Sequence, residues 1–254
     1  MDINTAKEAL LKRSNAFQQR YFTAYGQLVL RVNEETYISS CENLRLSKLT
    51  EKDFDLFDIN TGDIGRIFSS RDDINAIVFI CTEAAVRFSK ENQIMRPALD
   101  DLAQIIGPDV TVCPDGTART LLKALRNRRG CFIQGSGIIA VGDTIEEAIA
   151  GARILEKSAE AEIYSGKLNG LQYLDPTTAQ ELHKYYDGSY SKVNQKEKVD
   201  FISSGAEEFQ LRNRIIDCGK DMSRSELVQG SWGNISLRLN PDTMLITPSG
   251  MDYF

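Results

Sequence analysis

The sequence predicts an α/β fold on three observations. Asn75 to Thr82, NAIVFICT, is a β-branched run dense enough to form a buried strand. Ile138 to Val141 reads as another strand, followed at once by Thr144 and Glu147, which form a capping box for a helix reaching about Tyr164. A hairpin at Gly26 to Ser40 also returns far along the chain: without a gap, Gly26 falls on Gly233, Leu30 on Leu237, Arg31 on Arg238, Asn33 on Asn240 and Thr36 on Thr243.

Taken in order, residues 5 to 22 place Ala9, Leu10, Ala16 and Phe17 at helical spacing, an amphipathic opening helix. The first hairpin follows. In Ser47 to Asp63, Phe54, Leu56 and Phe57 precede an Asn-Thr-Gly turn, and residues 64 to 70 suit a short helix. After the strand at 75 to 82, helices are expected at Glu83 to Glu91 and at Pro97 to Ile106, the latter ended by Gly107-Pro108. Val110 to Cys113 is a short strand, Thr117 to Arg129 a helix and Cys131 to Gln134 a strand. The cluster Arg126-Asn127-Arg128-Arg129-Gly130 reads as that helix's last turn and C-cap, where cations suit the helix dipole.

Asp175-Pro176 opens a short helix to about Tyr186. Asp187 to Lys198 is polar enough to be a linker. A helix from about Ser204 to Met222 leads into the second hairpin, whose strands are Ile235 to Leu239 and Met244 to Thr247 and whose end is Pro248-Ser249-Gly250.

The totals exclude several classes. An apolar fraction of 42% is ordinary for a globular chain, and no apolar run or signal-like N-terminus points to export or a membrane span, so the expected compartment is the cytoplasm. A net charge of -6 offers nucleic acid no general attraction. Five cysteines, an odd number without close pairing, fit neither a disulfide framework nor a Cys-x-x-Cys zinc site; most, Cys81 included, read as small core residues.

Gly233 to Arg238 reads Gly-Asn-Ile-Ser-Leu-Arg and Thr247 to Gly250 reads Thr-Pro-Ser-Gly. With these motifs, Asp73-Ile74-Asn75-Ala76-Ile77-Val78, Gly107-Pro108-Asp109-Val110 and the glycine turn before the long helix, the chain resembles the class II aldolase/adducin family. The resemblance implies a three-layer α/β/α fold with a central, mainly antiparallel sheet. It also implies a domain over residues 1–186, the linker at 187–198, and in 199–254 the N-terminal part of a second copy, cut short at Phe254.

Family enzymes resembling this chain are metal-dependent aldehyde-lyases that hold zinc with a His-x-His on a strand and a third histidine from a turn, beside a glutamate acid/base. Residues i and i+2 of a strand share a face, which is why two such histidines converge on one ion. By position, the ligands fall here on Phe79, Cys81 and Ser136, and the acid/base on Asn60. A phenyl ring cannot ligate, a serine hydroxyl ligates poorly and an asparagine cannot shuttle a proton, so the first copy is expected to have no family-type zinc site, no catalytic residue and no cofactor of its own. The only histidine, His183, lies elsewhere. The family's phosphate donors correspond to Gln27, Glu42 and Asn43 in the first copy, where Glu42 would repel a phosphate, and to Asn234, Ser249 and Gly250 in the second.

Rival readings are weaker. Gly135 to Ala140 matches a Gly-x-Gly-x-x-Ala dinucleotide fingerprint, but a strand rather than a helix is expected after the glycines. A serine triad would need His183 and lacks a Gly-x-Ser-x-Gly elbow, and Cys81 lacks a basic partner. The expected function is a non-catalytic family member that assembles as a homo-oligomer or with a catalytic aldolase domain, with a possible sugar-phosphate ligand. The alternative is a zinc-dependent sugar-phosphate aldolase or epimerase whose remaining site residues lie beyond residue 254 or on another chain.

Overall fold

The computed structural model describes residues 2–14, 17, 25–166, 168, 170–186, 205–225, 227–228 and 233–248. The chain divides into two compact units, Met1–Asp187 and Gly188–Phe254.

In the first unit, helix α1 (Ile3–Ser14) precedes strands β1 (Tyr25–Arg31), β2 (Thr36–Ser40), β3 (Leu44–Arg45) and β4 (Phe54–Asp58). Helix α2 (Gly62–Ser70), strand β5 (Ala76–Cys81), helix α3 (Glu83–Glu91), strand β6 (Ile94–Met95) and helix α4 (Asp100–Ile105) follow. Then come β7 (Val110–Cys113), α5 (Ala118–Ala124), β8 (Gly130–Ile133), β9 (Gly137–Gly142), α6 (Ile145–Ser165) and α7 (Pro176–Tyr185).

The sheet runs β4-β2-β1-β5-β9-β8-β7-β6, with β3 also on β1. Its pairs are antiparallel except β7 with β8. The expected mainly antiparallel sheet is therefore present. Strand β5 is central because NAIVFIC is apolar on both faces: Ile77, Val78 and Ile80 are buried. Burial of each such side chain stabilises by about 1.5–3 kcal/mol.

Register assigns the faces. Leu28, Val78 and Ala140 lie side by side, and Gln27, Phe79 and Ile139 lie side by side on the opposite face. Helix α6 covers the first face: a Cβ on its Gly151 would stand 3.3 Å from the Ala140 Cβ. Helix α3 joins it there, with the Phe88 and Phe132 ring centroids 4.8 Å apart. Helix α2 covers the second face through Phe68, tilted against Tyr37 at 5.5 Å. The result is the three-layer α/β/α arrangement.

Local signals set most boundaries. The Thr144 hydroxyl accepts from Glu147 N at 3.2 Å, while the Glu147 carboxylate accepts from Asp143 N at 2.9 Å, one residue earlier than a regular capping box. Asp175 caps α7 by accepting from Thr177 N and Thr178 N, both at 3.0 Å.

The expected opening helix at 5 to 22 is present as α1 as far as Ser14; of the rest of that stretch Phe17 alone lies within the described residues, and it is buried. Two expectations are corrected. Helix α5 ends at Ala124, so the arginine cluster is not its last turn and Gly130 begins β8 instead of capping. Two ion pairs and a hydrogen bond draw that segment away from helix: Arg128 Nε donates to Asp109 Oδ1 at 2.8 Å, Arg129 pairs with Asp73 at 3.0 Å, and Arg71 donates to the Leu125 carbonyl at 2.6 Å. Phe54–Asp58, which had no strand assigned, is β4.

In the second unit, helix α8 (Ala206–Arg224) precedes an antiparallel hairpin of β10 (Ser236–Arg238) and β11 (Met244–Ile246). The expected linker, 187–198, lies outside the described residues. The hairpin keeps the first hairpin's register: Arg31 pairs with Tyr37 and Leu30 with Ile38, as Arg238 pairs with Met244 and Leu237 with Leu245. The turns agree too, with Val32 N donating to Thr36 O and Leu239 N to Thr243 O, both at 3.0 Å.

Candidate functional site

Two glycines hold β5 close to its neighbours at one end of the sheet. A Cβ on Gly26 would stand 2.1 Å from the Phe79 carbonyl oxygen, and one on Gly137 would stand 2.2 Å from that of Ile80 and 3.0 Å from the Cys81 Cα. Gly137 also has φ +143, a conformation that side chains disfavour. The turn carrying Ser136, fixed by its N–H donating to Ile133 O at 3.0 Å, is thereby set beside Cys81. Phe79 and Cys81, two residues apart, share the face that also carries Gln27. The structure thus brings Phe79, Cys81 and Ser136 to one end of the sheet.

Asn60 is not with them. It follows β4, donates through its side chain to Asp58 Oδ1 at 3.0 Å, and lines an open cleft of about 630 Å³ with Arg31, Asn33, Phe68 and Asn75. Asn75 immediately precedes β5 and Cys81 ends it, a separation of roughly 20 Å at strand rise. The length between the Asn60 turn and β5 therefore sends this residue to the opposite end of the strand.

Cys81 is exposed, which corrects its reading as a core thiol; the last residue of β5 lies at the uncovered sheet end. Among the five cysteines only Cys113 and Cys131 are buried, with their sulfurs 3.6 Å apart, Cys41 is half-buried and Cys218 exposed. Partial burial, and then the charge of Glu156, pushes the Cys81 thiol up, which opposes the thiolate a metal would need. Glu156 is a buried carboxylate on α6 that accepts from the Thr82 hydroxyl. Sequence periodicity gives no sign of it; only the fold carries α6 past the end of β5.

Of the expected phosphate positions of the first unit, Gln27 is engaged by the chain's own groups. The Gln27 side-chain amide donates to Ser39 Oγ at 2.8 Å and Ser40 O at 3.3 Å. Glu42 and Asn43 form the exposed turn between β2 and β3, with Asn43 left-handed at φ 60. In the second unit Asn234 is exposed and follows Gly233, whose φ is +86. Thr247 closes the hairpin, its N–H donating to Ile235 O at 3.0 Å and its hydroxyl accepting from Ile235 N at 3.1 Å. Ser249 and Gly250 lie outside the described residues.

The zinc fit is poor on this chemistry: a phenyl ring, which cannot ligate, a hydroxyl, which ligates poorly, and a single thiol do not make a three-ligand set. Among the described residues no group of three or more His, Cys, Asp or Glu could hold a metal. Of the rival sites, Gly137–Gly142 is strand β9, so no helix begins at the Gly135 turn. The His183 ring packs from α7 with Nδ1 3.2 Å from Gln104 O, remote in sequence from the β5 end. No described helix is long and apolar enough to cross a membrane.

A family model described as "Class II Aldolase and Adducin N-terminal domain" matches residues 13–163 and 213–254. No curated protein matches the chain. Among solved structures, an L-fuculose 1-phosphate aldolase is similar at TM-score 0.65 and 18% identity, over 74% of this chain and 98% of that one. YgbL of Escherichia coli, a putative aldolase/epimerase/decarboxylase, gives TM-score 0.62 at 15% identity over 70% and 98%. L-fuculose 1-phosphate aldolase from Glaciozyma antarctica PI12 gives 0.60 at 20% over 70% and 80%. These likenesses establish the fold.

Proposed function

The chain belongs to the class II aldolase and adducin N-terminal domain family, and on that premise we propose that it is non-catalytic on its own, serving as an assembly partner of a catalytic copy or of itself. The observation that carries this reading is the occupancy of the β5 end. Where the family's ligands would converge, this chain has Phe79, Cys81 and Ser136, and the acid/base position, Asn60, faces a different cleft. No metal-assisted step is assigned to these residues. The protein works in the cytoplasm in this account, without zinc.

Residues 199–254 begin a second copy, a reading supported by the matched hairpin registers and by the family match at 213–254. That hairpin favours a second reading. Asn234, with Ser249 and Gly250, keeps the motif for a phosphate cradle, so a sugar phosphate is the ligand class expected there, and a zinc-dependent aldolase or epimerase would draw its other residues from beyond residue 254 or from another chain.

The test is incubation of the purified chain with L-fuculose 1-phosphate, the compound named for two of the similar structures, with zinc present and the products followed by phosphorus NMR. The substrate is expected to remain intact. Turnover by this chain alone would overturn the non-catalytic reading.

A further inference from the structure

Strand β4 ends the sheet, and its outer edge, which pairs with no strand among the described residues, has a symmetry of its own. Cys41 N donates to Asp53 O at 2.7 Å and Ile59 N donates to Glu35 O at 2.8 Å. Odd-numbered residues of this stretch therefore turn their backbone groups toward β2, and alternation turns those of Phe54, Leu56 and Asp58 outward. The outward set is symmetric about Leu56.

The side chains along this edge are also open on both faces. Leu56 is 46% exposed on one face, and Phe57 is 40% exposed on the other, where it stacks on Tyr37 at 5.3 Å. An unpaired edge with exposed apolar residues is a pairing template, and edge strands without a partner are commonly blunted by charge. Here Asp55 and Asp58 supply charge, which sets carboxylate against carboxylate in registers centred on Phe54, Asp55 or Asp58; of the two that remain, centred on Leu56 or Phe57, only the one about Leu56 pairs all five residues of β4. In an antiparallel pair centred on Leu56, Asp55 stands opposite Phe57 and Asp58 opposite Phe54. No carboxylate meets another directly, and every outward N–H faces an outward C=O.

We infer that β4 is the surface through which two copies of this chain associate, by antiparallel pairing about a two-fold axis at Leu56. The two sheets become continuous across the dimer, and Leu56 and Phe57 of both copies are covered. A two-fold interface is self-complementary by construction, which is the property this edge has. The inference rests on the assembly reading above only in requiring self-association.

The experiment uses the full chain in sedimentation velocity over a concentration series, with Leu56→Pro, Leu56→Lys and Leu56→Cys beside the wild type. Proline at an outward-facing edge position removes a donor that β2 does not use, so the protomer is expected to keep its circular dichroism and melting curve. A reversible dimer is expected for the wild type, with its dissociation constant raised at least about tenfold by L56P and by L56K. Hydrogen-bonded partners in an antiparallel pair have Cα atoms about 5.5 Å apart, within disulfide range. L56C treated with diamide should therefore yield a peptide linked from residue 56 to residue 56, separable by mass from links through Cys81 or Cys218. A dimer that survives L56P and L56K and gives no such link overturns the inference but leaves assembly standing. A chain that stays monomeric at every concentration overturns the inference and the self-assembly half of that reading, and leaves a catalytic copy as the partner.

Discussion

Asn240 repeats in the second hairpin what Asn33 does in the first. The Asn33 Oδ1 accepts from Glu35 N and Thr36 N, both at 2.9 Å, and the Asn240 Oδ1 accepts from Asp242 N at 3.0 Å and Thr243 N at 2.9 Å. A short amide that bonds the backbone two and three residues on closes each turn. Asn33→Ala is expected to destabilise the chain by about 1 kcal/mol, while Asn33→Asp, which keeps the acceptor, costs less. Urea unfolding with an unchanged m-value measures both.

Arg31 holds α2 against the sheet. Its Nη2 donates to the carbonyls of Phe68 at 2.6 Å, Ile74 at 3.1 Å and Arg71 at 3.3 Å, and its guanidinium lies 4.9 Å from the Phe68 ring centre. Arg31→Met leaves carbonyls at the C-terminal end of α2 without this donor, and the expected cost is on the order of 2–3 kcal/mol. Arg31→Lys should recover only part, because an ammonium lacks the planar fork. Midpoints of thermal or urea unfolding report the order wild type, Lys, Met.

Acid should loosen the tie between α2 and the α5–β8 turn. Hydrogen bonds from Arg71, helped by its charge and that of Arg129, hold the Asp73 carboxyl below its ordinary value of 3.8 against the opposing effect of burial, which is larger than either charge. A depressed folded value means stability that is present above the unfolded value and is lost as pH falls through the folded one. Asp73→Asn is therefore expected to lower stability at neutral pH and to flatten its fall below about pH 4. Stability curves between pH 2 and 7 for the two proteins compare them.

The positions 79, 81 and 136 should still be able to form a metal site, because the Gly26 and Gly137 contacts that set their geometry remain. The variant carrying Phe79→His, Cys81→His and Ser136→His is expected to take up about one zinc per chain. Failure to do so in a folded variant would mean that the turn and the strand end do not converge as described.

The parts of the fold legible in sequence were those fixed by local chemistry. Thr144, Asp175 and the β-branched run at β5 each act through neighbours a few residues away, and each marked its element. Strand β4 escapes a sequence reading because FDLFD has no β-branched residue and its aspartates, three apart, fall on both faces and break the alternation of a strand, so its strand character comes from pairing with β2. The arginine cluster was misassigned because Asp73 and Asp109, distant in sequence, decide its conformation. At the site, the identity of Phe79, Cys81 and Ser136 was readable, but the exposure of Cys81, the buried Glu156 behind it and the separation of Asn60 depend on tertiary placement.

The central claim, that the β5 end holds no catalytic zinc, is tested most directly by elemental mass spectrometry of the purified chain dialysed first against zinc and then against metal-free buffer. The account predicts less than about a tenth of an equivalent, since retention needs about three good ligands. One tightly held zinc per chain would contradict it, and would place the metal-dependent reading first.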